Sequence, residues 1–294
     1  MNSPSDARAG LGWALVAYSM WGLIPIYWKQ LASVSAMEVL AHRVIWSVLF
    51  TAGVLAVQGR LREVFRTLIE RALLKTLLLS TALIATNWGL FIWAVSENRV
   101  TEASLGYYIN PLLNVVLARI FLGERLKGLQ LAAVGLAGCA VVYLTIAQGT
   151  LPWVSLVLAA TFSLYGLVRK RAPIGPLVGL TVESGLAAPI AIVYLLLLDP
   201  PLANMVTAPA ATRALLAGAG VITALPLLAF AAAAHRLRYT TLGMVQYLAP
   251  SLQLACAVLL YGEPFRREQV ITFALIWVAV ALYIAEAART RTRG

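Results

Sequence analysis

From Leu11 almost to the C-terminus, apolar runs follow one another with only short connections between them. A helical run of about 18 residues or more crosses ~30 Å of hydrocarbon. Inside lipid, every backbone polar group must be satisfied by the chain itself. This feature confines the sequence to an all-α polytopic membrane protein. A membrane barrel would need ~10-residue segments of alternating polarity, and these are missing. Composition agrees, with 61% hydrophobic and 12% charged residues among 294, against about 25% charged in soluble domains.

Hydropathy and helix breakers predict ten transmembrane helices, near 11–29, 36–57, 72–95, 101–122, 126–147, 151–168, 176–198, 212–234, 239–261 and 268–287. The first run is too long for a signal-peptide core, and Pro25 and Lys29 interrupt it, so it is read as a retained helix. On this layout the segments on the N-terminal side of the membrane carry 16 Lys and Arg, and the opposite side carries five. Basic residues accumulate on the cytoplasmic side, so both termini are expected there. The formal charge of +11 is thereby explained by topology, and no nucleic-acid partner is expected. Cys139 and Cys256 lie in apolar runs and there are two histidines, so no disulfide framework, metal site or cofactor is expected.

Two of the runs hold polar groups at matching places. "YINP" at Tyr108–Pro111 corresponds to "YLAP" at Tyr247–Pro250, and each is followed by Gly-Glu, at Gly123-Glu124 and Gly262-Glu263. The spacing between copies is 139 for both Pro and Glu, and it also pairs Phe91 with Phe230. "YSMWGL" at Tyr18–Leu23 resembles "FSLYGL" at Phe162–Leu167. Residues 1–149 and 150–294 thus read as two five-helix repeats. An odd number of spans per repeat inverts the second copy, the organisation of alternating-access carriers around a central cavity. Duplication without transport, as in some channels, remains an alternative.

The stretches "EVLAHRVIWS", "NWGLFIWAV", "EASLGYYINPLLN", "FLGERL" and "RLRYTTLGMVQYLAPSLQ", in this order, resemble the RarD branch of the EamA-type drug/metabolite transporters. The resemblance covers nearly the whole chain. It implies ten helices around a cavity, an N-terminus in the bacterial cytoplasm, and mainly outward traffic of small organic molecules across the inner membrane.

Ionisable groups inside a span are functional candidates, because each is costly in lipid unless it faces a cavity or a partner. Arg43 lies about 10 Å into the second helix at ~1.5 Å per residue. Trp46 and Ser47 follow it at i+3 and i+4 and share its face. Arg43 can bind a carboxylate or phosphate, or pair structurally. Glu183, Glu38 and His42 are candidates for proton coupling or for buried pairing. Asn110 and Asn114 share a helix face with Tyr107, and Gln246 and Gln253 share one on the ninth helix. These amides can line a cavity or hold helices together. Asn87, Trp88, Phe91, Tyr165 and Phe230 complete the expected lining, since sites for small organics are mostly aromatic with a few polar groups. Trp93, near a span end, reads as an interfacial residue. Glu124 and Glu263 read as caps on the helices that follow them.

The leading function is therefore a secondary transporter of a small organic solute, its two inverted halves rocking about a midplane site. A pore, an importer and a non-transporting membrane partner are the alternatives. No Walker motif supports ATP-driven transport, and no enzyme constellation such as H-E-x-x-H is present. Oligomeric state is left open, since one chain suffices to enclose a cavity.

Overall fold

A computed structural model describes residues 4–121, 128–170, 172–234, 236–237 and 245–292. Its long helices are α1 (Pro4–Lys29), α2 (Ala36–Val57), α4 (Arg71–Ser96), α5 (Val100–Phe121), α6 (Gly128–Gln148), α7 (Trp153–Lys170), α8 (Pro176–Leu196) and α10 (Ala210–Ala234). Two short helices, α3 (Leu61–Ile69) and α9 (Ala203–Thr207), sit in connections. After the described chain resumes, α11 (Leu248–Ala255) runs into a π-helical turn (Cys256–Leu260), and α12 (Arg267–Thr292) ends the fold. No strand occurs among the described residues. Six of these helices are long and apolar enough to cross a membrane, and shorter apolar helices accompany them. The protein is a multi-pass helical membrane protein.

Helices α3 and α9 were not expected, and one expected helix falls partly outside the described residues. Residues 58–70 were read as a connection, yet nine of them form α3, too short for an apolar run to reveal. It is amphipathic, with Phe65 and Ile69 exposed beside Arg62 and Arg66. The segment expected as one helix over 239–261 contains only α11 and the π turn within the described residues.

Packing is by pairs. Helix α2 lies along α8, and α6 along α12. Helix α7 packs on both α4 and α5, and α1 packs on both α10 and α11. A further contact joins α10 to α2. Two of these contacts are backbone to backbone. A Cβ built on Gly220 of α10 would lie 2.2 Å from the Trp46 carbonyl of α2, and one on Gly106 of α5 would lie 2.7 Å from the Ser155 carbonyl of α7. Only glycine fits at such approaches, which small residues permit in helix interfaces within lipid. The largest apolar cores form around Trp28, Leu31 and Phe91 between α1, α4 and α10, and around Leu112, Phe273 and Ile276 between α5, α6 and α12. Large apolar side chains such as Ile146, Ile190 and Leu259 point outward, as hydrocarbon contact requires.

Candidate functional site

Arg43 is buried, with 6% of its surface exposed. Its guanidinium lies 4.0 Å from the centre of the Trp88 ring and 5.1 Å from that of Trp28. Three helices build this arrangement: α2 supplies the cation, α4 one indole, and the end of α1 the other. No ion pair to Arg43 forms among the described residues. Its Nε has no acceptor among the described residues, and neither does the buried Trp28 Nε1. Two desolvated indole contacts contribute roughly 2 kcal/mol each, whereas an uncompensated buried charge costs several. The aromatic walls alone do not settle this cation.

Trp46 is not part of that wall. Its backbone meets Gly220 of α10. The rings over Arg43 come from α1 and α4, so neighbouring helices choose its partners. Trp28 was missed because at the end of an apolar run it has the signature of an interfacial residue.

Glu183 on α8 meets Arg169 of α7, Nε to Oε1 3.5 Å. Ser80 Oγ of α4 donates to the same carboxylate at 2.6 Å, and Tyr165 OH donates at 3.2 Å. Arg169 was counted among the loop charges, yet it folds back into the bundle. Tyr165 therefore belongs to the Glu183 cluster. Glu38 is committed elsewhere: it accepts from Asn204 N at 2.9 Å and from Asn204 Nδ2 at 2.8 Å, holding α9 against the start of α2. His42 Nε2 lies 4.0 Å from Glu38 Oε1 and has no hydrogen-bond partner among the described residues.

The amides join helices. Asn87 Nδ2 donates to Leu158 O at 3.0 Å and Thr161 Oγ1 at 2.9 Å, while its Oδ1 accepts from Tyr107 OH at 3.1 Å. Tyr107 stands against Phe91, ring centres 5.7 Å apart, so Asn87, Phe91 and Tyr107 form one cluster. Asn110 Oδ1 accepts from Ser163 of α7. Gln253 Nε2 donates to Trp21 O at 3.1 Å. That carbonyl is the one Pro25, four residues on, cannot serve. Asn114 is exposed, Gln246 is half-buried, and Phe230 packs on Trp21 at 5.8 Å and on Tyr18. Arg43 and Trp88 join the Asn87–Phe91–Tyr107 cluster through Trp28, which shares its core, while Tyr165 with Glu183 and Phe230 with Gln253 form two further groups.

Two cavities lie elsewhere. One of about 590 Å³, between α5, α11 and α12, is lined by Tyr108, Tyr247, Ser251 and Trp277. None of the predicted binding residues borders it. The other, of about 260 Å³, is polar and includes Arg99, Glu102, Gln148 and Glu263. There the expected role of Glu263 is corrected. Its carboxylate does not cap α12, which follows it, but accepts from Val100 N at 2.7 Å and Thr101 N at 2.8 Å. It thus caps α5, a helix 163 residues earlier. Helix N-termini attract anions wherever the fold supplies them, not only from the preceding residue. Glu124 lies outside the described residues. Trp93 stacks near Trp153 at 5.6 Å, and Arg99 lies over both rings in this same region.

Comparison with known proteins places this architecture. The EamA-like transporter family matches residues 8–146. Protein RarD of Escherichia coli K12 is 43% identical over 98% of both chains. An uncharacterized transporter of Vibrio cholerae is 44% identical over 95% of this chain and 92% of its own. The chloramphenicol-sensitive protein RarD of Pseudomonas aeruginosa is 35% identical over 94% of this chain and 93% of its own. A protein of known crystal structure shares the fold, with a TM-score of 0.61 and 18% identity over 95% of this chain and 97% of that one. With a shared motif order, near full-length identity to RarD proteins and a common helical fold, this chain belongs to the RarD branch of the EamA-type drug/metabolite transporters.

Proposed function

We propose that the chain is a secondary transporter that exports small organic metabolites or drugs across the bacterial inner membrane by alternating access. Residues 1–149 and 150–294 form its two inverted halves, giving ten spans with both termini in the cytoplasm. The observation that carries this reading is the helix packing. Exchanging the halves sends α1, α2, α4, α5 and α6 to α7, α8, α10, α11 and α12. Under that exchange the pairs α2–α8 and α6–α12 return to themselves. The contacts of α7 with α4 and α5 become those of α1 with α10 and α11. A two-fold axis in the membrane plane has this consequence, and alternating access uses it. One relative is named chloramphenicol-sensitive, so amphenicols join metabolites among the solutes to be tried.

The test is flux in vesicles reconstituted with purified protein. Saturable uptake with counterflow is the expected result. Linear, non-saturable leak would identify a pore, and uptake running only inward in cells would reverse the direction. Cysteines placed at Arg8 and Arg291 should react with an impermeant reagent from the cytoplasmic side alone. Opposite labelling of the two ends would rule out an even number of spans.

A further inference from the structure

Arg43 Nε and Trp28 Nε1 are two buried N–H groups without an acceptor among the described residues, carried by side chains whose guanidinium and ring centre lie 5.1 Å apart. Neither group can accept a hydrogen bond, so only a molecule bringing lone pairs completes them. The buried carboxylates of α2 and α8 are occupied: Glu38 by Asn204, and Glu183 by Arg169, Ser80 and Tyr165. Lys29, next to Trp28 in sequence, turns away to Val95 O at 3.0 Å and Asn98 Oδ1 at 2.6 Å. The Trp28–Trp88 wall therefore encloses one positive charge.

We infer that the transported solute carries a single carboxylate, received by Arg43 and the Trp28 N–H, with a flat or apolar body against the adjacent aromatic side chains. The inference rests on the transporter reading above and names its solute class. A guanidinium forks two parallel bonds to a carboxylate and stacks on aromatic faces at the same time. Trp88 lies 4.0 Å from the guanidinium. Phe91 and Tyr107, ring centres 5.7 Å apart in the same core, extend the aromatic surface. A dianionic phosphate would call for a second cation at this wall. The low exposure of Arg43 fits a site reached in one state of a transport cycle and closed in another.

The experiment is a thermal-shift titration of the full-length protein in detergent. Probes are aromatic and aliphatic monocarboxylates such as benzoate, phenylacetate and hexanoate, each beside its uncharged amide, with phenyl phosphate as a further arm. At least one carboxylate should raise the unfolding temperature while its amide leaves it unchanged. Arg43→Gln should abolish that shift. Trp28→Phe, which keeps a ring and deletes one N–H, should weaken apparent affinity about tenfold, as for one charge-assisted hydrogen bond. Trp28→Phe also answers the question should Arg43→Gln fail to fold. Equal shifts by acid and amide, a shift only by phenyl phosphate, no shift by any monocarboxylate, or full retention in both variants would overturn the inference. Flux separates it from the transport reading. Carboxylate binding without flux of any solute sinks transport and leaves the site. Saturable flux of neutral solutes, unchanged in Arg43→Gln, sinks the site and leaves transport.

Discussion

Replacing Glu263 by Ala should loosen the start of α5 although the two lie in opposite halves of the chain. The carboxylate holds Val100 N and Thr101 N at 2.7 and 2.8 Å and is 6% exposed. A hydrogen bond to a charged group contributes roughly 1.5–3 kcal/mol, and an orphaned buried donor costs a further share of that order. The negative charge at the helix N-terminus adds roughly 0.3–1 kcal/mol. Water filling the adjoining pocket, which Thr101 and Glu263 both line, would serve one amide once the carboxylate is gone, so a loss of about 3 kcal/mol is expected for Glu263→Ala. With roughly 2–4 °C per kcal/mol for a chain of this size class, unfolding should fall by about 6–12 °C. Glu263→Gln keeps one acceptor and should lose about half as much. Tryptophan fluorescence during a thermal ramp in detergent reads the change. Glu97→Gln, an exposed carboxylate at the end of α4, is the control and should be silent. Unfolding of Glu263→Ala within a degree or so of wild type would refute the assignment of this contact as a strut between halves.

Other substitutions test the remaining contacts. Glu183→Gln leaves Arg169 facing a neutral amide in the bundle and should cost about 3 kcal/mol, measured by the same thermal ramp. The double change with Arg169→Gln should recover part of that loss. Gln253→Leu strands the Trp21 carbonyl and should cost roughly 1–3 kcal/mol. On a Pro25→Ala background the restored N–H can serve that carbonyl, and the same change should become nearly neutral in a double-mutant cycle. Gly220→Val should prevent recovery of folded protein from membranes, judged by gel filtration in detergent, because its side chain would enter the backbone of Trp46.

The multi-pass helical class was readable because membrane helices announce themselves by local composition. The site was less so, for reasons visible in particular residues. Arg43 advertised itself as a charge in an apolar run, but its indoles come from α1 and α4, and no spacing along α2 encodes them. Asn87 and Gln253 were found as polar outliers. Whether such an amide faces a solute or a carbonyl depends on the helix opposite, and here Leu158 and Trp21 take them. Arg169 looked like a loop charge because its partner Glu183 is on the next helix. Glu263 was identified as a cap, and the helix it caps is set by the fold.

The glycine contacts bear on how such a molecule can move. Side chains that interdigitate can exchange rotamers and slide, whereas two main chains in direct touch offer nothing to rearrange. Gly220 ties α10 to α2, and Gly106 ties α5 to α7. Each tie joins a helix from before residue 150 to one from after it. Both main-chain contacts thus join a helix from the first half of the sequence to one from the second, so a fragment ending near residue 150 would lose one side of each.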